Sequence, residues 1–194
     1  MAQTVQHKDF ATIENEAQRV FKLQRDAYQR HPYPSHDERV DSLRKLERVL
    51  VDNAAAIAEA INADFGHRAF EETMIAELFT SVDGIRDVRK HVKKWMAPQR
   101  RHVSVLFATG SNRVIPMPKG VVGIVAPWNY ALFLSISPLT SILAAGNRAM
   151  IKMASSSQHL ARLLAEKLRE VFSEEQVAVL PGVRAQDFST LPFD

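Results

Sequence analysis

Two polar side chains close apolar runs in positions where chemistry could be built. Val121-Val-Gly-Ile-Val125 passes through Ala126, Pro127 and Trp128 to Asn129, and Ala149-Met-Ile ends at Lys152. Short apolar runs punctuated by Gly and Pro read as buried strands. Open α/β sheets bind ligands beyond the carboxyl ends of such strands. An amide set there by a proline-fixed turn can donate a hydrogen bond into a dry crevice, and an ammonium on the next strand can bind a second group. Residue types alone leave another reading open, in which Asn129 bonds its own turn backbone and Lys152 extends into water.

Other chemical motifs dissolve on inspection. Asp64-Phe65-Gly66 spells the metal-binding triplet of protein kinases, but no glycine-rich phosphate loop or His-Arg-Asp loop accompanies it. It reads instead as a helix-ending turn in which Gly66 supplies positive φ. Gly120-Val-Val-Gly123 lacks the lysine and hydroxyl spacing of a phosphate loop, and the dinucleotide fingerprint G-x-G-x-x-G is missing. His31 and His36 lack the spacing and acidic neighbours of a zinc site. Ser155, Ser156 and Ser157 precede a helix, where hydroxyls cap free N–H groups, and no G-x-S-x-G elbow surrounds them. The chain has no cysteine, which excludes disulfides, thiolate metal ligands and a thiol nucleophile within these residues.

The elements that must hold Asn129 and Lys152 follow from pattern. At 194 residues, 46% hydrophobic and 24% charged, the chain has a globular composition and room for one domain or two small ones. Its first part is helical. Ile13, Ala17, Val20, Phe21, Gln24 and Tyr28 form one stripe, ended by His31-Pro-Tyr-Pro34. Ser35 then caps a helix with Asp37 and Glu38 in its first turn and the stripe Val40, Leu43, Leu46, Val49, Leu50, Ile57 and Ile61. A third helix carries Met74, Ile75, Leu78, Phe79, Val82 and Ile85 and ends by Pro98. His102–Phe107 and Asn112–Met117 suggest a hairpin around Thr109-Gly-Ser111. Strands at Val121–Val125, Ala149–Lys152 and Gln176–Leu180 alternate with helices at Ser135–Ala145 and His159–Phe172. That alternation predicts right-handed crossovers and a parallel sheet. Three strands are fewer than the about five or six of a doubly wound sheet, so this one reads as incomplete.

The charge balance, 25 Lys+Arg against 22 Asp+Glu, gives no reason to expect a nucleic acid partner. The basic run Arg86–Arg101 carries Val88, Val92 and Trp95 at helical spacing, the mark of a solvated helix face. The charge-free stretch Val121–Gly146 is long enough for a membrane span of about 20 residues, but Gly123, Pro127, Asn129 and Pro138 break it into a strand and a helix. The opening MAQTVQHKDF has no apolar stretch of a secretory signal. A cytoplasmic protein with no membrane partner is expected.

The stretch Pro118-Lys-Gly-Val-Val-Gly-Ile-Val-Ala-Pro-Trp-Asn-Tyr130, continued by Leu143-Ala-Ala-Gly-Asn147 and Ile151-Lys152, is similar to the signature of the aldehyde dehydrogenase superfamily. Asp64-Phe-Gly-His-Arg68 with Glu72-Thr73 and Glu77 resembles its coniferyl aldehyde dehydrogenase branch. The resemblance implies that Asn129 donates its amide to the oxyanion formed by thiolate attack on an aldehyde. It implies that Val125, Ala126, Pro127 and Trp128 wall a cofactor crevice, that Lys152 bonds a ribose hydroxyl of NAD or NADP, and that the hairpin serves oligomerisation. The chain departs from the family pattern at Ser155, where members carry an acidic ribose ligand, and at Met153 and Ala131, where proline is common.

The resulting expectation is an α/β chain of three parts: helices over 1–101, an oligomerisation hairpin over 102–118, and the first half of an NAD(P)-binding, Rossmann-like domain over 119–194. The general-base glutamate, the nucleophilic cysteine and the catalytic domain would lie beyond Asp194. The chain is thus read as the N-terminal portion of an enzyme oxidising aldehydes, inactive alone. The alternatives are a non-catalytic module that pairs with a full-length or complementary chain, a residual nucleotide binder, and a truncated gene product without a function of its own.

Overall fold

The computed structural model describes the backbone of residues 7–194 and side-chain surroundings from Glu16 onward. The opening residues 1–6 and the side chain of Ile13 lie outside that range. Helix α1 (His7–Arg30) ends before His31-Pro32, and its stripe buries Ala17, Val20, Phe21, Gln24 and Ala27. Ser35 opens α2 (His36–Asp52) with a full capping box: its hydroxyl accepts from Glu38 N–H, and the Glu38 carboxylate accepts from Ser35 N–H. The stripe expected of one helix is buried throughout, but the chain breaks at Asn53 and resumes as α3 (Ala54–Phe65). Gly66, at φ 85°, ends α3 in the left-handed region, as its sequence context implies.

The third expected helix is a composite of α4 (Phe70–Glu72), a π-helical stretch (Thr73–Phe79) and α5 (Thr80–Met96). Its inward face is not the apolar stripe alone. Thr73, Glu77 and Ser81 are buried alongside Leu78, Val82 and Ile85, while Ile75 and Phe79 are 68% and 64% exposed. Periodicity of apolar residues misassigns those two because half of the inward face is polar. Trp95, also expected on the apolar face, is half exposed and stacks on His91. On the basic face, Arg86 and Arg89 both pair with Glu47 of α2.

The antiparallel pair is displaced from the expected hairpin. Strand β1 (Gln99–Arg101) pairs with β2 (Asn112–Val114), while Val105–Phe107 forms a 3-10 turn rather than a strand. Three parallel strands then assemble in the order β3-β4-β5: β3 (Val121–Ala126), β4 (Arg148–Met153) and β5 (Val177–Val179), with α6 (Phe133–Ala145) and α7 (Gln158–Arg169) as crossovers. The α/β architecture is therefore as expected. A short α8 (Ala185–Ser189) follows, and Asp194 meets the outer edge of β3, its N–H donating to Val121 O. Among the described residues no helix is long and apolar enough to cross a membrane.

Strand alternation sends the sheet's side chains into two cores. Ile124, Ala126, Ala149, Ile151 and Met153 pack against α2, α3, α5, α6 and α7. Val121, Met150, Ala178 and Leu180 face α1 and α8 on the other side. The N-terminal ends of β3 and β4 are joined by Asn147, whose Oδ1 accepts from Lys119 N–H at 2.6 Å and Gly120 N–H at 3.0 Å. Just before it Gly146 ends α6 at φ 83°, and a Cβ there would sit 2.8 Å from Cζ of the buried Arg39 guanidinium, which donates to Ala144 O. Gly146→Ala combines left-handed strain with that contact, and we expect a loss of about 1–3 kcal/mol. A urea midpoint lowered at unchanged slope checks it.

Candidate functional site

The register of the parallel sheet sets the frame. Val125 pairs with Lys152 and Ala126 with Met153, so the two expected site segments leave adjacent strands at the same edge. Val125 and Lys152 share the face of Val121 and Met150, whereas Ala126 is buried on the opposite face. Val125 is 55% exposed, so this face is open at its carboxyl end even though α1 covers its other end. Lys152 is only 8% exposed, and no hydrogen bond or ion pair among the described residues involves its ammonium. Of the four wall residues, Val125, Pro127 and Trp128 are exposed and Ala126 is in the core; Ser155 lies exposed in the turn after β4.

Beyond Ala126 the chain makes an exposed loop from Pro127 to Tyr130 before burying Ala131 and Leu132. Asn129 sits at its crest. Its side-chain amide takes part in no hydrogen bond among the described residues, so it is not spent on the turn backbone. The backbone is instead held from the helical layer. The Arg68 guanidinium donates to Asn129 O at 2.7 Å and lies over the rings of Phe65 and Tyr130, 4.8 and 4.6 Å from their centroids. Glu77 Oε2 accepts from Leu132 N–H at 2.8 Å and Phe133 N–H at 3.2 Å, closing the N-terminus of α6. Arg68 Nη2 lies 2.9 Å from Glu72 Oε1 and 3.6 Å from Glu77 Oε1.

Sequence reasoning placed Arg68, Glu72 and Glu77 only within a resemblance and gave them no task. An acid inside an otherwise apolar stripe is the signal that could have marked Glu77, since a fully buried carboxyl must find hydrogen-bond partners. The serines before α7 are a second correction. Ser157 makes no side-chain cap, and the free N–H groups of His159 and Leu160 are taken by Asp64 Oδ1 and Oδ2, at 2.9 and 3.0 Å, reaching across from α3. With a carboxylate on it, that helix end is closed to a phosphate, while Ser155 stays exposed and Lys152 is buried on the face shared with Val125. Among the described residues no group of three or more His, Asp or Glu could hold a metal ion.

These features are those of the open carboxyl edge of a parallel α/β sheet, the edge where such sheets bind ligands. The sequence matches the aldehyde dehydrogenase family over residues 3–190. The chain belongs to the aldehyde dehydrogenase family. It is 47% identical over 182 residues to the probable coniferyl aldehyde dehydrogenase of Pseudomonas aeruginosa, covering 93% of this chain and 38% of that one. It is 39% identical over 158 residues to the coniferyl aldehyde dehydrogenase of a Pseudomonas strain, covering 80% and 32%. The substrate-bound structure of Staphylococcus aureus AldH superposes with a TM-score of 0.85 at 25% identity, over 91% of this chain and 39% of that one. The chain thus spans about a third to two fifths of the length of these relatives. The family uses NAD(P). The open face beside Val125 and the ammonium of Lys152, unpaired among the described residues, are of a chemistry that fits such a cofactor.

Burial raises the pKa of Glu77, outweighing the two backbone N–H groups and Arg68, which favour its charge; Glu72 adds to the rise. A carboxyl raised on folding contributes stability that is complete below its unfolded value of 4.5 and is lost as pH climbs through the higher folded value. Glu77→Gln cannot ionise. Thermal melts of the two proteins across pH 4 to 8 should therefore show the parent losing ground to the variant as pH rises, and a constant difference would contradict the burial argument.

Proposed function

We propose that these residues form the oxyanion-donor and cofactor-wall part of an NAD(P)-dependent aldehyde dehydrogenase acting on aromatic aldehydes of the coniferyl type, in the cytoplasm. The observation that carries this reading is the uncommitted side-chain amide of Asn129 on a loop fixed by Arg68 and Glu77. Thiolate attack on an aldehyde carbonyl moves negative charge onto its oxygen. A donor already aimed at that point stabilises the charge without reorganising, and in a water-poor site one such donor is worth about 10²–10³ in rate. The aromatic class is taken from the coniferyl-type relatives.

Lys152, with Ser155 beside it, would hold the cofactor's ribose hydroxyls, and Val125, Pro127 and Trp128 its apolar contacts. When bound, the dinucleotide supplies the two-electron oxidant. Ser155 offers a hydroxyl where a carboxylate would repel an additional phosphate, so both NAD and NADP are compatible with this edge. The attacking thiol must come from outside these 194 residues, which contain no cysteine. The purified chain should therefore show no turnover of coniferyl aldehyde with NAD+ or NADP+ above a heat-killed control. In a polypeptide joining these residues to the remaining length of the Pseudomonas aeruginosa relative, Asn129→Ala should lower kcat by about 10²–10³ with KM little changed. Full activity in that variant would remove the basis of the reading.

The segment around the antiparallel pair favours a second role, as a surface for self-association. Val105 and Leu106 are each 88% exposed, Phe107 is 69% exposed, and Val114, Ile115 and Met117 continue the apolar patch. Monomers seldom leave so many neighbouring apolar side chains in water. Leu106→Glu should shift the chain toward monomer in size-exclusion chromatography with light scattering. An unchanged mass, or a parent that is already monomeric, would argue against this use of the patch.

A further inference from the structure

Asn129 belongs to a loop that the sheet alone does not hold. Past Ala126 the strand pairing stops, and Pro127, Trp128, Asn129 and Tyr130 are all exposed. The contacts that fix the loop come from residues about 55 to 61 positions earlier in the chain. We propose that Arg68 and Glu77 are positioning residues for Asn129, one on each side of it: Arg68 fixes the Asn129 carbonyl and Glu77 fixes the start of α6.

The geometry of Arg68 suits this task. Its side chain is 6% exposed, so the guanidinium is largely withdrawn from water. Its Cζ lies 4.8 Å from the Phe65 centroid and 4.6 Å from the Tyr130 centroid, and Nη1 reaches the carbonyl of the residue between Trp128 and Tyr130. A planar fork packed against two rings and withdrawn from water has less freedom than one in solvent, so a bond from it fixes direction as well as distance. Because Tyr130 is itself one of the rings, the loop completes the pocket that orients the arginine. The two groups lock each other.

Glu77 supplies the second anchor. Leu132 and Phe133 carry N–H groups at the start of α6 that have no partner within the helix, and one carboxyl oxygen satisfies both. The buried stretch after Asn129 therefore cannot rotate without stranding two donors. Glu77 lies in the π-helical stretch, a local widening of the helix often found where a side chain is aimed at a particular task. Neither residue is placed at the reacting atoms; both act through Asn129.

The inference draws its catalytic meaning from the reading of Asn129 as oxyanion donor, but its test reads Asn129 directly and needs no turnover. In the 15N-labelled chain, the Asn129 side-chain amide resonances are assigned with Asn129→Asp. Arg68→Gln should shift those resonances, and Arg68→Lys should shift them as well, because an ammonium keeps the charge but not the fork. Glu77→Leu should speed hydrogen exchange at Leu132 and Phe133 by about tenfold, while Glu77→Gln, which keeps one acceptor oxygen, should restore most of the protection. The sheet amides of Ala149 and Leu180 should change by less than about twofold throughout. Asn129 resonances unmoved in both Arg68 variants would overturn the proposal. So would exchange that rises equally at Ala149 and Leu180, the mark of a general loss of stability. If Glu77→Leu does not fold, the two Arg68 variants still decide the matter. Failure of this test leaves Asn129→Ala kinetics as an independent judge of the oxyanion reading, and the reverse also holds.

Discussion

A polar loop at the end of a buried strand can keep a fixed shape only if something outside the strand holds it, and in this chain that something is the Arg68 guanidinium. It lies over the rings of Phe65 and Tyr130 and donates to Asn129 O. Each partner removes a different freedom. The rings restrict the plane of the guanidinium, the carbonyl bond restricts the loop, and the nearby carboxylates of Glu72 and Glu77 balance the buried charge. Taking a cation out of water is costly unless its charge and its donors find partners. The loop gives the cluster one acceptor, Asn129 O, and the cluster in turn holds the loop, although Arg68 Nε and Glu77 Oε1 make no hydrogen bond among the described residues.

The same device recurs across the molecule. Side chains of the helical layer repeatedly satisfy backbone groups of the sheet domain. Gln24 on α1 donates to Ala149 O and Glu174 O, Tyr28 to Pro118 O, and Arg39 on α2 to Ala144 O. In the opposite direction, Arg148 at the start of β4 donates to Ala27 O. Asp64 on α3 caps α7. Each bond joins segments far apart in sequence. Helices over the first hundred residues are therefore fastened to both faces of the sheet, and the position of the site edge depends on them.

What could be read in the sequence was what local chemistry decides. The three parallel strands announced themselves as short apolar runs between Gly, Pro and Asn; Ser35 with Glu38 marked a helix start, and Gly66 a helix end. Asn129 and Lys152 were placed correctly at adjacent strand ends because the alternation of strand and helix fixes the sheet's direction. The rest was hidden where partners are remote. Glu77 interrupts an apolar stripe, and only the free N–H groups of Leu132 and Phe133 explain why it faces inward. Ser157 has the right type and position to cap α7, but a carboxylate from α3 takes the bonds first. The antiparallel pair starts at Gln99 instead of His102, a shift that hydrogen-bond register sets and that the exposed, weakly patterned residues of the segment do not encode.

The division between what is buried and what is left open has a chemical logic. A hydrogen-bond donor accelerates carbonyl chemistry only if it is aimed before the charge arrives, because turning it during the reaction would consume the stabilisation it gives. Aiming requires constraint, and constraint on a surface loop has to come from groups outside it. Arg68 and Glu77 spend their hydrogen bonds on the backbone around Asn129 and none on its side chain. The amide is therefore held by its main chain and remains available. Lys152 likewise sits on a strand fixed by β3 and β5 on either side, and its ammonium makes no hydrogen bond or ion pair among the described residues. Both segments leave adjacent strands at the edge where the sheet ends.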